Sequence, residues 1–169
     1  MRITSIVKTI AALALLGGFI STAAAITATD AANILFIKQE EKLARDVYQA
    51  MYAKWGHTTF KNIAAAEQQH MDAMDGLIAR YGLTDTTPAE QGKFTYPELQ
   101  ALYDELIASG SQSLEQALQA GVLIELTDIA DIQAALDATK VLPIRRVLTN
   151  LQNASRNHLS AFNTALSRL

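Results

Sequence analysis

A glutamate and a histidine lie three residues apart on a predicted helix, and this spacing favours metal binding. Glu67 and His70 lie in the helical segment Phe60–Met71, and residues i and i+3 share one helix face. Both complete the apolar series 60, 63, 67, 70, 74, 77 and 81, so both should face a core. Because a buried carboxylate is unfavourable unless it is paired or bound to a cation, the spacing predicts a shared metal ion.

The other three long predicted helices add polar residues to their apolar faces. Glu41 fills the one gap in the apolar series of the first helix. Glu125 and Asp128 lie three residues apart on the third long helix, and His158 lies on the apolar face of the last. At a rise of about 1.5 Å per residue, these positions can meet near the middle of a bundle. Four carboxylates and two neutral imidazoles would balance the charge of two divalent cations.

This set of ligands suits Fe, with Mn or Zn as alternatives. A bridging carboxylate pair would hold the two ions about 3.5–4 Å apart, and open coordination positions would allow oxygen or peroxide to bind. Each residue alone has an ordinary explanation: a Glu can reach water at a bundle end, a buried His can be hydrogen-bonded, and Asp128 could cap a helix or pair with an arginine. Six such residues on four helices favour the dinuclear site, because burying each unpaired group costs several kcal/mol.

Neighbouring polar residues have separate predictions. Glu40 lies about 100° off the apolar face, and we expect it to be solvated, as we expect of Asp46. Arg45 could form a surface pair or contact Glu41. Tyr48 should pack in the core, with a hydrogen bond to the site as the alternative.

Composition predicts a single all-α domain. The chain has 169 residues, of which 50% are hydrophobic and 18% are charged, a length suited to one domain with a sizeable core. Gly and Pro are scarce, and no alternation of β-branched residues suggests strands. The net charge of −3, with no basic run, argues against nucleic acid as a partner.

The N-terminus has the pattern of a signal peptide. Arg2 and Lys8 flank the apolar stretch 10–20, and Ala23, Ala24 and Ala25 follow it, so residues 1–25 are predicted to be removed and residues 26–169 to form the domain. We therefore expect a periplasmic or extracellular protein with no membrane span after cleavage, since a span needs about 20 apolar residues. A retained anchor stays open. The absence of cysteine excludes disulfides, thiolate ligands and iron–sulfur clusters.

Periodicity and caps predict four long helices and one short helix. The long helices should cover 33–55, 58 or 59 to 81, 114–138, and Pro143 to the C-terminus; the short helix should begin near Pro97. Short turns make the first and last pairs of long helices antiparallel hairpins. About thirty residues, including the short helix, separate the hairpins. The arrangement predicted is a ferritin-like four-helix bundle with a long crossover that carries an extra short helix between helices two and three.

The motifs also resemble known families. The segment 41–48 is similar to the first-helix motif of rubrerythrins, and 60–70 is similar to their Glu-x-x-His helix. The run 34–162 resembles the DUF2202 family of ferritin-like proteins more closely, through 40–48, 62–70, 124–129 and 155–159. The resemblance implies metal-ligand positions at Glu41, Glu67, His70, Glu125, Asp128 and His158. The chain departs from rubrerythrins at Ser155, where they have Glu, and it lacks their cysteine-rich electron-transfer module.

Three functions follow as hypotheses. The first is oxygen, peroxide or ferroxidase-type redox chemistry at two Fe or Mn ions, with an external electron donor and no assigned catalytic residue. The alternative is a non-catalytic module that sequesters Fe or Zn. A third is a metal-free helical adaptor whose acids pair with Arg45 or Arg156. A homodimer is left open, whereas no feature indicates a cage.

Overall fold

A computed structural model of the protein describes residues 26–169, and these residues form α-helices without strands. The predicted signal peptide at residues 1–25 lies outside the described residues. Within them, no helix combines the length and the apolar character needed to cross a membrane. The all-α prediction is confirmed, and the helices are α1 (Ala28–Trp55), α2 (Thr58–Tyr81), α3 (Pro97–Gly110), α4 (Leu114–Ala138) and α5 (Leu142–Leu166).

Helices α1, α2, α5 and α4, in that order around the axis, form a four-helix bundle in which neighbouring helices are antiparallel. One apolar cluster joins the C-terminal half of α1 to Phe60, Leu118 and Phe162. A second cluster, at the other end, joins the N-terminal half of α1 to the later part of α2, with Ile132 and Leu148. The crossover from α2 to α4 therefore spans the length of the bundle, and its helix α3 packs on α1 and α4. The predicted four-helix bundle with an extra crossover helix is confirmed.

Capping interactions set the helix starts. Helix α1 begins at Ala28, because the Thr27 side chain accepts a hydrogen bond from the Asp30 amide while Asp30 accepts one from Thr27. The predicted start near residue 33 is wrong because this capping box already satisfies the first amides. At α2 the cap is His57, whose side chain accepts from the Thr59 amide, instead of either predicted threonine. Helix α5 begins at Leu142, one residue before the predicted Pro143.

The middle of α1 is enclosed on every side. All residues from 37 to 44 are buried, including the polar run 38–42. Glu40 is only 8% exposed, so the prediction that it is solvated is wrong. The reason is the crossover: α3 and the segment 82–96 cover the face of α1 that a simple bundle would leave in water.

Asp46 is the centre of a buried polar network that fastens this segment to α1. It is 0% exposed, which contradicts the predicted exposed position. Its Oδ2 accepts from Lys42 Nζ at 2.6 Å and from the Gly92 amide at 2.8 Å, and its Oδ1 accepts from the Arg45 guanidinium. Lys42 also donates to the carbonyl of Glu90 at 2.8 Å. The network satisfies both buried charges and holds the crossover against the bundle.

Replacing Asp46 should therefore destabilise the protein strongly. Asp46→Ala leaves the Lys42 ammonium buried without its counter-ion, and we expect the free energy of unfolding to fall by about 3–5 kcal/mol in urea denaturation. The matched control is Glu105→Ala, an exposed acid on α3, which should change it by less than about 0.5 kcal/mol. Equal effects of the two substitutions would contradict a buried network.

Candidate metal centre

The predicted ligands occupy one polar layer between the two apolar clusters. Helices α1, α2, α4 and α5 each contribute at least one of them, so the side chains project from rigid elements. The four carboxyl groups are buried, from 1% exposed at Glu41 to 7% at Asp128, and each imidazole side chain is 12% exposed. The six residues in this layer are Glu41, Glu67, His70, Glu125, Asp128 and His158.

Glu67 lies at the centre of the layer and contacts both histidines. Its Oε2 is 2.7 Å from Nδ1 of His70, and its Oε1 is 2.9 Å from Nδ1 of His158. Beyond it, Glu41 Oε2 lies 3.1 Å from the same His70 nitrogen, and Glu125 Oε2 lies 3.6 Å from the His158 nitrogen. The layer thus contains two similar groups that share Glu67: Glu41, Glu67 and His70 in one, and Glu67, Glu125 and His158 in the other.

The two imidazole rings stack on one another and close one side of the layer. Their centroids are 5.6 Å apart and their planes differ by 24°. Both rings turn Nδ1 towards the carboxylates. The imidazole side chains on α2 and α5 are each 12% exposed, against 1–7% for the four acids, so the layer comes nearest to solvent on the side of these two helices.

Tyr48 supports Glu125 from α1. Its hydroxyl donates to Glu125 Oε1 at 2.7 Å, and its ring is fully buried between Phe60 and Phe162. Phe162 in turn packs on Gly121, where an added Cβ would lie 2.6 Å from the ring. The alternative prediction of a hydrogen bond from Tyr48 to the site is confirmed.

Asp128 lies beside the two groups and has a different partner. Its Oδ2 accepts a hydrogen bond from the Ser155 hydroxyl, whereas its Oδ1 is buried without a partner. Ser155, the position at which the chain departs from rubrerythrins, therefore orients the second acid of α4. The role of Asp128 as a ligand stays a prediction. Of the two alternatives predicted for Arg45, a surface pair or a contact with Glu41, the structure shows a pair: its guanidinium donates to Asp46 and to Gln68.

Burial and neighbouring charges shift the pKa values of the layer in opposite directions. Burial raises the pKa of Glu67, but the two histidine contacts outweigh it and bring that pKa to about 2. Burial raises the pKa of Glu125 to about 7, against the opposing contact from His158. Burial lowers the pKa of His158, but Glu125 and Glu67 outweigh it and raise that pKa to about 10.

The remaining acids hold their protons more tightly than exposed carboxyls. Burial, followed by the charges of Asp128 and Glu67, raises the pKa of Glu41 well above its ordinary value. Burial also raises the pKa of Asp128, although the hydrogen bond from Ser155 opposes it. The pKa of Glu40 is raised by burial and then by the charges of Asp128 and Asp131. Without a cation, the raised pKa values favour the protonated form of these three acids.

The donors in the layer are too few for its acceptors. Two side chains make hydrogen bonds to the oxygens of Glu41, Glu67 and Glu125: Nδ1 of His70, which bonds Glu41, and the Tyr48 hydroxyl, which donates to Glu125. Glu41 Oε1 is buried without a hydrogen bond, and so is Nδ1 of His158, although it lies 2.9 Å from Glu67 Oε1. A cation accepts lone pairs from every atom of this kind. In each group of three, the ligand atoms lie within 4.8 Å of one another, a spacing compatible with a shared ion.

Periodicity identified the inward polar residues of the layer but missed part of their surroundings. It predicted Tyr48 to pack in the core, with a hydrogen bond to the site as the alternative, and the structure shows both. It missed the burial of Glu40. A surface groove of about 860 Å³ lies near Arg80 and Arg146 and includes none of the six residues, so it is not part of this centre.

Comparison with known proteins agrees with the helical fold. The model of the family described as "Uncharacterized protein domain (DUF2202)" matches residues 30–168. An uncharacterized protein of Methanocaldococcus jannaschii, MJ0754, is 41% identical over 131 residues, which are 77% of this chain and 71% of the relative.

Two solved structures are similar. The crystal structure of the hypothetical protein MJ0754 has a TM-score of 0.84 at 39% identity and covers 85% of this chain and 83% of its own. A DUF305 fragment from Deinococcus radiodurans has a TM-score of 0.63 at 16% identity, over 85% of this chain and 98% of the fragment. The second likeness concerns the fold alone.

The pKa shifts predict how the stability of the metal-free protein depends on pH. Glu67, with a lowered pKa, contributes stability above its ordinary value of 4.5 that is lost as pH falls towards 2. Glu125 and His158 have raised pKa values, so their contributions are lost as pH rises from 4.5 to 7 and from 6.5 to 10 respectively. After chelation, the melting temperature should therefore fall steadily between about pH 5 and pH 9.

The variant His158→Gln should flatten this decline above about pH 6.5, whereas Asn157→Gln, an exposed change on the next residue, should keep the slope of the parent. Scanning calorimetry in chelator at matched ionic strength measures both. A melting temperature that rises over this range would contradict the assigned interactions.

Proposed function

The chain belongs to the DUF2202 family, and from the polar layer at the middle of its bundle we propose that it binds two divalent metal ions. Glu41, Glu67 and His70 would hold one ion, and Glu67, Glu125 and His158 the other. Asp128 would complete the set next to Glu41. Fe is the proposed metal, with Mn and Zn as alternatives, because carboxylate and imidazole ligands suit all three.

The shared position of Glu67 is the observation that carries this proposal. One of its carboxylate oxygens faces each histidine, at 2.7 Å and 2.9 Å, as expected of a bridging ligand. If the layer served only to hold the helices together, apolar side chains would do so at lower cost, since replacing buried charges with well-packed apolar groups is often stabilising. Acids with raised pKa values and several unpartnered buried atoms are what a layer that binds cations would leave in its metal-free form.

Redox chemistry with oxygen or peroxide is the function we propose for this centre, in a ferritin-like protein. Bound Fe or Mn would supply one-electron steps that the side chains cannot perform. Three protein ligands for each ion would leave coordination positions for a small substrate, as in other catalytic metal sites. Either Fe(II) as substrate or an outside donor must supply electrons, because the chain has no cysteine to hold an electron-transfer cluster.

The residues around the layer would control water and position the ligands. The two apolar clusters exclude water from above and below. Tyr48 holds one oxygen of Glu125, which leaves the other turned towards His158. Ser155 holds one oxygen of Asp128 in the same way. Such contacts orient ligands and reduce the rearrangement needed when an ion binds.

Metal analysis of protein purified without chelator tests the proposal. We expect about two Fe or Mn ions per chain, and a melting temperature raised by mass action, since an ion present at 100 times its dissociation constant contributes about 2.7 kcal/mol. The variant Glu67→Ala/His70→Ala should lose both ions, and its melting temperature should no longer rise when metal is added. Glu105→Gln, which removes one exposed charge, should keep them.

Two further results would decide the class of function. Consumption of oxygen or peroxide on addition of Fe(II), lost in the double variant, would support the redox function. Tight metal binding without such consumption would favour the alternative, a non-catalytic protein that sequesters Fe or Zn. Failure to bind Fe(II), Mn(II) and Zn(II) after reconstitution would contradict metal binding altogether.

Export to the periplasm or the medium, and a homodimer, stay predictions.

A further inference from the structure

Gly76 lies inside α2 at a position where the fold gives no reason for a glycine. Glycine is less favourable than alanine in the interior of a helix, so a helical glycine usually marks a close contact. Gly110 has such a contact, since an added Cβ would lie 2.8 Å from the sulfur of Met51. Gly121 has one too, since its Cβ would lie 2.6 Å from the ring of Phe162. At Gly76 an added Cβ would meet no atom within 4 Å, so the space beside it is open to a molecule outside this chain.

Gly76 lines the surface groove of about 860 Å³, which lies between the last turns of α2 and the first turns of α5. Clefts that bind small organic molecules have volumes of about 300–1,000 Å³. The apolar residues that line the groove are Ala73, Leu77, Leu142, Pro143 and Val147. Leu142 is 77% exposed. A hydrocarbon group in the groove would therefore remove apolar surface from water on both helices.

One end of the groove is cationic. Because α2 and α5 are antiparallel, Arg80 near the end of α2 lies at the same end of the groove as Arg145 and Arg146 near the start of α5. No acidic residue lines the groove, and none of the three arginines forms a salt bridge within residues 26–169. Arg145 donates to the carbonyls of Leu136 and Thr139. Arg80 and Arg146 are exposed, so their guanidinium groups are accessible to an anion.

The charge of the surrounding helix adds to this attraction. The whole chain has a net charge of −3, yet α5 contains three arginines and no acidic residue. The third, Arg156, lies outside the groove. A cationic helix on an acidic protein favours the approach of an anion to this face.

We propose that this groove binds an amphiphilic carboxylate of the medium-chain fatty acid class. Its carboxylate would pair with Arg80 and Arg146, and its hydrocarbon chain would lie over Gly76. The planar guanidinium group of arginine offers paired N–H donors that match a carboxylate. The absence of a side chain at position 76 leaves room for the hydrocarbon chain beside the backbone of α2. None of the six proposed metal ligands lines the groove, so this site does not depend on the metal centre.

Isothermal titration calorimetry with decanoate, below its micelle concentration and in chelator, tests the site. Acetate and inorganic phosphate, which lack an apolar chain, should bind at least about tenfold more weakly than decanoate. The variant Arg80→Gln/Arg146→Gln should weaken decanoate binding at least about tenfold, because hydrogen bonds to charged groups are the stronger ones. Arg156→Gln, which removes a charge from α5 outside the groove, should bind decanoate as the parent does.

Gly76→Leu tests the groove independently of charge. The new side chain should occupy the space proposed for the hydrocarbon chain and weaken decanoate binding at least about tenfold. Its melting temperature should equal or exceed that of the parent, because leucine favours a helix more than glycine does and its Cβ meets no atom within 4 Å. The matched control is Ala79→Leu, at an exposed position of α2 outside the groove, which should keep the parent affinity.

Four results would overturn this inference. The first is a parent that does not bind decanoate, and the second is parent-like affinity in either Gly76→Leu or the double arginine variant. The third is inorganic phosphate that binds as tightly as decanoate, because the apolar lining would then have no part in binding. The fourth is a parent that is dimeric in analytical ultracentrifugation and a Gly76→Leu variant that is monomeric, because a second copy would then occupy the groove.

Discussion

Neutralising buried negative charge is the constraint on which this structure depends. Four carboxyl groups of the central layer lie in an interior where an isolated ionised carboxylate is strongly disfavoured. Two imidazoles, two hydroxyl donors and retained protons meet part of that demand. The remaining demand is what a pair of divalent cations would satisfy. The same groups that make the metal-free layer unfavourable are therefore those that would give a metal ion its affinity.

The residues that stabilise the bundle and the residues that could bind metal lie at different positions along the bundle axis. Apolar side chains at both ends join the helices, so the polar layer does not have to hold them together. Because every proposed ligand projects from a long helix, its position is set by packing on both sides of the layer. Tyr48 illustrates this dependence: the aromatic cluster around Phe162 fixes its ring, and the ring aims its hydroxyl at Glu125.

Sequence periodicity predicted the bundle and its inward residues because a helix of 3.6 residues per turn places Glu67 and His70 on one face whatever surrounds it. It failed where a residue depends on a non-local neighbour. Glu40 and Asp46 were predicted to be exposed because an amphipathic helix is assumed to have one solvent-exposed face. In α1 the crossover covers that face and buries both residues. Pairwise contacts, such as Arg45 with Asp46, are not encoded in spacing. The identity of a metal is not encoded there either, since several ions accept the same ligands.

The buried polar run 38–42 of α1 also fixes the position of α1, along and around its axis, relative to α2 and the crossover. Lys38 pairs with α2 and with Asp85, Gln39 bonds Thr95 of the crossover, and Glu41 contacts His70. A slide of α1 by one residue, about 1.5 Å along and 100° around its axis, would break all of these contacts together. An apolar helix could slip in this way at small cost, whereas this one has a single register. The buried polar residues thus make one register of α1 more favourable than the others, although apolar residues at these positions could make the folded state more stable overall.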